Sequence, residues 1–265
     1  MTYPKVLAIA GSDSGGGAGI QADIKSISAT GSYAATAITA VTVQNTLGVE
    51  AVHPVPVEII SAQIRCVLSD IGADAVKIGM LHSAEVVLAV RDALSSVPNI
   101  VLDPVMVSTS GHRLIEDAAV QTLAEELLPL ARVITPNIPE AEILAGVKIR
   151  SQEELPSIAR RLSCGGRVSV LMKAGHLTDD RLVDVFYNAE DDRIIELPSE
   201  RIHTPNTHGT GCTLSSAFAS YIAQGLGLDD AARAAKDYIA GAIASGARYE
   251  LGHGHGPVDH FFRQH

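Results

Sequence analysis

The sequence predicts an α/β fold, a mostly parallel central sheet with helices on both faces, built as a single domain over residues 1–265. Short runs rich in Val and Ile recur along the chain without strict polar alternation, as strands covered on both faces require. Between several of them lie stretches with apolar residues at helical spacing, and strand–helix–strand alternation calls for a parallel sheet. No Pro- or Ser-rich linker, low-complexity tract or internal repeat divides the chain.

Taken in order, the first strand is expected at Val6–Ala10 and runs into the loop from Gly11 to Gly19. A helix marked by Ile20, Ile24 and Ile27 follows and is stopped by Gly31; Thr36–Val43 reads as the second strand. Pro56 opens a helix whose Val57, Ile60, Ile64, Val67 and Ile71 share a face. Further strands are expected at Ala75–Ile78, Ile100–Leu102, Val133–Ile134, Val168–Met172 and Val183–Tyr187. The last strong helix buries Leu228, Ala231, Ala235, Ile239 and Ile243 and carries Asp229, Asp230, Arg233 and Lys236 elsewhere on its surface.

A chain of 265 residues can bury a core without a disulfide or metal staple. Its formal charge of −10 argues against a nucleic-acid or anionic-membrane partner. Cys66, Cys164 and Cys212 lie far apart with no CxxC spacing, which reads as a reducing compartment with neither a disulfide framework nor a zinc site. The apolar run after Lys5 is too short for a signal peptide or a membrane span, so the expected location is the cytoplasm.

Five glycines stand among the nine residues Gly11–Gly19, between a strand and a helix. Each costs about 1 kcal/mol relative to Ala, so the loop is expected to bring backbone close to a ligand. A dinucleotide fingerprint needs an acid at the end of the second strand, yet no Asp or Glu lies between Lys25 and Val49. A P-loop needs Gly-Lys-Ser/Thr, but Gly19 is followed by Ile20-Gln21. A second anion site is expected at Asn206–Thr213, where Gly209 and Gly211 let successive N–H groups face one oxyanion ahead of the helix Leu214–Ile222. The same dipole would lower the pKa of Cys212; the alternative is a helix capped by Thr210 with a small buried cysteine. Cys66, beside the core face of a helix, and Cys164, in a turn, read as structural.

Gly11–Asp23 together with His208-Gly209-Thr210-Gly211-Cys212 resembles the ribokinase superfamily, and more narrowly the hydroxymethylpyrimidine/phosphomethylpyrimidine kinases of thiamine biosynthesis. The likeness continues through Val43–Val49, Lys77–Leu81, Leu102–Met106, Thr135–Glu140, Met172–His176 and Gly252–Pro257. It implies a ribokinase-like kinase without a β-lid, using ATP and Mg2+ to phosphorylate the hydroxymethyl group and then the monophosphate, and acting as a homodimer.

On this resemblance Cys212 matches the position that deprotonates the attacking hydroxyl, and Gly209, Thr210 and Gly211 match the anion hole. Lys173 matches a phosphate-neutralising lysine, Asn137 with Glu140 match the motif that steers magnesium, and Asp103 falls where the family keeps an acid near the phosphates. Gln44, Asp23, Gly11, Ala18, Met80 and Val107 fall at substrate positions. A carboxamide such as Gln44 offers a donor and an acceptor side by side, which suits an aminopyrimidine edge. Read without the family, Gln44 could close a strand, Lys173 could be solvated, Glu140 could complement a helix dipole, and Asp23 could be a surface acid. Ala174 stands where a second glycine is common and Pro205 where a lysine is common. His253 and His255, among alternating glycines, read as a turn and make a poor zinc site. Ser108–His112 is the expected cover over the site. A pyridoxine or pyridoxal kinase of the same fold is the nearest alternative; an NAD-dependent oxidoreductase is opposed by the missing acid.

Overall fold

The computed structural model describes residues 3–94, 97–107 and 114–264. The chain order begins with strand β1 (Lys5–Asp13), helix α1 (Gly19–Ala29), strands β2 (Tyr33–Asn45) and β3 (Gly48–Pro54), and helix α2 (Val57–Asp70). It continues through β4 (Ala75–Ile78), α3 (Ala84–Ala93), β5 (Ile100–Leu102), α4 (Asp117–Thr122), β6 (Val133–Ile134), α5 (Ile138–Ala145) and α6 (Leu155–Leu162). Strands β7 (Ser169–Met172), β8 (Arg181–Asn188) and β9 (Arg193–Glu200) precede the long helices α7 (Thr210–Ala223) and α8 (Leu228–Gly246).

The nine strands among the described residues form one sheet in the order β3-β2-β1-β4-β5-β6-β7-β8-β9. Pairing is parallel from β2 across to β7 and antiparallel at both ends. The side-chain period of a strand divides β1 between two cores. Leu7 and Ile9 belong to the core layer that holds the inner faces of α2, α3 and α5, whereas Val6, Ala8 and Ala10 belong to the opposite layer, which holds those of α1, α7 and α8. Each buried Leu or Ile in these layers stabilises the fold by roughly 1.5–3 kcal/mol.

Two strands were not expected from the sequence, β3 and β9. Both are antiparallel outer strands of mixed apolar and polar residues without regular alternation, and β9 holds Pro198 in its interior, which a central strand would not tolerate. Two helix faces also differ. Ile24 and Ile71 are exposed, because the inner stripe of α1 runs through Ile20, Asp23, Ser26 and Ile27, and that of α2 through Ile60 and Ile64. Cys66 lies on the outer side of α2 and is exposed rather than packed beside the core. Among the described residues no helix is long and apolar enough to cross a membrane.

Candidate active site

Parallel strands all end on the same edge of the sheet, and that edge carries the polar residues. Asp13 ends β1, Met80 follows β4, Asp103 follows β5, Asn137 follows β6 and Lys173 follows β7. Ligands bind in open α/β sheets at this edge. Here it opens into a cavity of about 650 Å3 lined by Gly11, Ala18, Gln44, Met80, Asp103, Val107, Asn137, Glu140, Lys173, Gly209, Thr210, Gly211 and Cys212.

The glycine loop turns out to wrap around a side chain of its own. The Asp13 carboxylate accepts the N–H groups of Gly15 (2.8 Å), Gly17 (3.0 Å) and Ala18 (2.8 Å). Those three donors are therefore spent within the protein, not offered to a ligand. Gly19, at φ +54°, closes the loop where a Cβ would meet the Gly11 carbonyl oxygen at 2.3 Å. His208 Nε2 sits 3.0 Å from Asp13 Oδ2 and 3.2 Å from Gln44 Nε2. Burial pushes the Asp13 carboxyl up, but His208 and the N–H groups of Ala18 and Gly15 outweigh it and hold the group below its ordinary value. Sequence reasoning singled out neither Asp13 nor His208, since nothing local links positions so far apart.

Gly209 joins the two loops. It is the N-cap of α7 at φ +78°, and a Cβ there would lie 1.8 Å from the Gly17 carbonyl oxygen. Cys212 follows in the first turn, half-buried on the cavity wall. Its thiol is pushed up to about 11, opposite to the expected lowering. Burial dominates, and Asp23 and Asp103 add to it; Lys77 and the Gly19 N–H act the other way without overcoming it.

Lys173 Nζ lies 2.9 Å from Asp103 Oδ1, which also accepts the Thr135 hydroxyl at 3.0 Å. Burial raises the Asp103 carboxyl, but Lys173 and Lys77 outweigh it and hold it below its ordinary value. Asn137 and Glu140 form a capping box at the start of α5, the side chain of each accepting the other's backbone N–H. Glu140 is buried, and its carboxyl is raised to about 7 by burial, with Asp103 adding and Lys173 opposing.

That shift makes a prediction. A raised carboxyl contributes stability that is full below its unfolded pKa and is lost as pH rises through the folded one, here between about 4.5 and about 7. Glu140→Gln keeps an acceptor for the capping box and should relieve roughly 2–4 kcal/mol of strain above that window. Thermal unfolding of both proteins at pH 5 and pH 8 would test it; a variant no better off at pH 8 contradicts it.

Asp23 is not on the cavity wall. It is fully buried behind Cys212, where its Oδ1 accepts Lys77 Nζ and Ser216 Oγ, each at 2.7 Å. Gly11, Ala18 and Met80 do line the cavity and Val107 stands half-exposed at its rim; the expected cover, Ser108–His112, lies outside the described residues. The tail His253–Pro257 is docked by its backbone: His255 N–H donates to the Thr46 carbonyl at 2.8 Å and His208 N–H to that of Gly256 at 3.0 Å. Among the described residues no group of three or more His, Cys, Asp or Glu is placed to hold a metal ion. Towards α8 the wall turns apolar, with Ile202, Ile239 and Ile243. Lys236 stands among them, paired with Asp184 at 2.6 Å, and Asp184 also accepts the Ala174 N–H.

The family model described as phosphomethylpyrimidine kinase matches residues 13–259. A hydroxymethylpyrimidine/phosphomethylpyrimidine kinase from Rhizobium meliloti (strain 1021) is 50% identical, the alignment covering 97% of each chain. A thiamine biosynthesis bifunctional protein from Geobacter sulfurreducens is 48% identical over 96% of this chain and 52% of its own length. An ADP complex of Bacillus subtilis pyridoxal kinase superposes with a TM-score of 0.90 at 35% identity over 99% of both chains, in keeping with the ribokinase-like α/β expectation. A match running nearly end to end, over a chain whose motifs meet in one cavity, decides the family: this chain belongs to the phosphomethylpyrimidine kinases.

Proposed function

We propose that this chain is a phosphotransferase of thiamine biosynthesis that phosphorylates 4-amino-5-hydroxymethyl-2-methylpyrimidine and then its monophosphate, with ATP as phosphoryl donor. The observation that carries the reading is the convergence of Cys212, Lys173 and the Gly209–Gly211 turn on one cavity, in a chain with a relative of that name at 50% identity. In the first step the substrate hydroxyl oxygen bonds to the γ-phosphorus, its proton passes to the Cys212 sulfur, and the bond to the β-phosphate oxygen breaks to release ADP. The Thr210 N–H is engaged by the Thr207 carbonyl at 3.3 Å, so the first-turn N–H groups of Gly211 and Cys212, which have no acceptor within the helix, are the ones that would meet the transferring group. Lys173 neutralises charge that builds on its oxygens.

Mg2+ fits the donor set. The Glu140 carboxylate accepts the N–H groups of Asn137 and Met106, so only its remaining lone pairs are on offer, which suits an ion that retains its waters and meets the protein through them. Glu140 and Asn137 would hold it through water, with Asp103 near the phosphates; bound there, it supplies further neutralisation of phosphate charge. The apolar wall around Ile239 and Ile243 suits a nucleobase. The reading extends to a single domain, a homodimer, a cytoplasmic location and the lack of a separate β-lid. The test is a product assay with ATP, magnesium and hydroxymethylpyrimidine; no mono- or diphosphate would overturn it.

The likeness to pyridoxal kinase keeps pyridoxal as a second substrate to examine. Gln44 separates the two. Gln44→Met should weaken pyrimidine binding by about 1–3 kcal/mol, because a buried heteroatom edge loses its partner, and affect pyridoxal less. Equal losses for both would show that Gln44 does not read the ring.

A further inference from the structure

Lys77 has a full positive charge in a place where a structural residue needs none. It sits in the middle of β4, between Val76 and Ile78, with no exposed surface. Its Nζ donates to Asp23 Oδ1 at 2.7 Å, and both side chains are completely buried. Taking such a pair out of water costs several kcal/mol per ion, and an apolar pair of the same volume is often as stable or more so. Packing alone therefore gives no reason for the pair. The expected role of Asp23 as a substrate contact gives none either, since Asp23 does not reach the cavity.

What the pair touches suggests a reason. Ser216 Oγ donates to the same Asp23 oxygen at 2.7 Å. Ser216 lies four residues after Cys212 on α7, so the two share one helix face and Cys212 stands one turn nearer the cavity. The other Asp23 oxygen is buried with no hydrogen-bond partner among the described residues, and burial, with Asp103 adding to it, raises the Asp23 carboxyl above its ordinary value although Lys77 and Ser216 oppose the rise. Around the thiol stand Lys77 from β4, Asp23 and the Gly19 N–H from α1, Asp103 after β5 and Lys173 after β7. Lys77 is the largest favourable influence on the thiolate, and the two carboxylates oppose it.

We propose that Lys77 is a positioning residue that acts through Cys212: its buried ammonium, held in place by Asp23, supplies the positive charge that stabilises the thiolate from behind the cavity wall. Both lysines are ion-paired, Lys173 with Asp103 and Lys77 with Asp23. Lys173, however, lines the cavity and faces the phosphates, whereas Lys77 is sealed behind the wall and is the larger favourable influence on the sulfur. Asp23 has a divided effect, since it holds the ammonium still while its own charge disfavours the thiolate. The inference rests on Cys212 being the base, but it concerns the charge state of the sulfur and can be read without turnover.

The test compares wild type, Asp23→Asn and the double variant Lys77→Met/Asp23→Asn, in a background where Cys66 and Cys164 are replaced by Ser. Asn keeps the acceptor that Lys77 and Ser216 use, and the double variant leaves no orphaned charge, so both should fold; thermal unfolding checks this. Iodoacetamide is the probe, and the rate of Cys212 modification is followed by mass spectrometry between pH 7 and 9, where it reports thiolate fraction. Asp23→Asn should speed modification about tenfold, and adding Lys77→Met should slow it by about tenfold or more relative to Asp23→Asn, the ordinary effect of one nearby charge. A brace with no electrostatic role would move both rates together or neither, and either result overturns the proposal. If the modification rates move in opposite directions but kcat does not follow them, Lys77 does poise the sulfur and it is the assignment of Cys212 as base that fails.

Discussion

Cys212→Ala lowers kcat by roughly 10²–10⁴, the usual contribution of a general base, and leaves substrate binding nearly unchanged. The expectation comes from the place of the sulfur: first turn of α7, on the cavity wall, beside the Gly209–Gly211 turn. Its raised pKa, about 11 in the ligand-free protein, adds a second signature. A base that is mostly protonated at neutral pH becomes active in proportion to its ionised fraction, so the wild-type rate should climb about tenfold per pH unit from pH 6 to pH 8. That slope should vanish in Cys212→Ala. Near-wild-type turnover, or an unchanged slope in the variant, would reduce Cys212 to a packing residue.

The next largest effect belongs to Lys173→Met, with kcat falling by about 10²–10³ as the charge facing the transferring phosphoryl group is lost. A second consequence concerns folding. Lys173 is the ammonium hydrogen-bonded to Asp103, and it opposes the rise of Glu140. Both carboxylates are buried, and breaking a buried pair by removing one partner costs about 3–5 kcal/mol. Without the ammonium, Glu140 is raised further, so its stabilising contribution is kept at low pH and lost as pH rises past neutrality. The variant should therefore unfold lower than wild type at both pH values, since the Asp103 contribution is present at each, and by a wider margin at pH 8, where the Glu140 penalty is added. A loss of the same size at both pH values would show that Lys173 does not balance the Glu140 charge.

Much of the architecture was legible in the residues themselves. Buried parallel strands read as unbroken Val/Ile runs because both faces are covered, and β4, β5 and β6 fall where those runs do. The motifs that meet in the cavity were also visible, since Cys212, Gly209, Lys173, Asn137 and Glu140 each stand at the end of a recognisable element. The outer strands β3 and β9 were not, because a half-exposed strand with Gly, Pro and charged residues has the composition of a loop until a neighbour pairs with it.

Only the tertiary structure decided what surrounds each group. Glycine spacing alone could not show that the Gly15, Gly17 and Ala18 N–H groups close on Asp13, or that His208, far along the chain, holds the same carboxylate. Helical periodicity put Asp23 on the inner side of α1 but not opposite Lys77, and it gave no sign that Ile24 would face water. A dipole argument set the Cys212 thiol low; burial among Asp23 and Asp103 sets it high. Residue type and period determine which elements form and which face they bury, because those preferences are local. Charge state depends on desolvation and on groups within a few Å, and in this chain those groups come from α1, β4, β5 and α7, brought together only when the sheet closes.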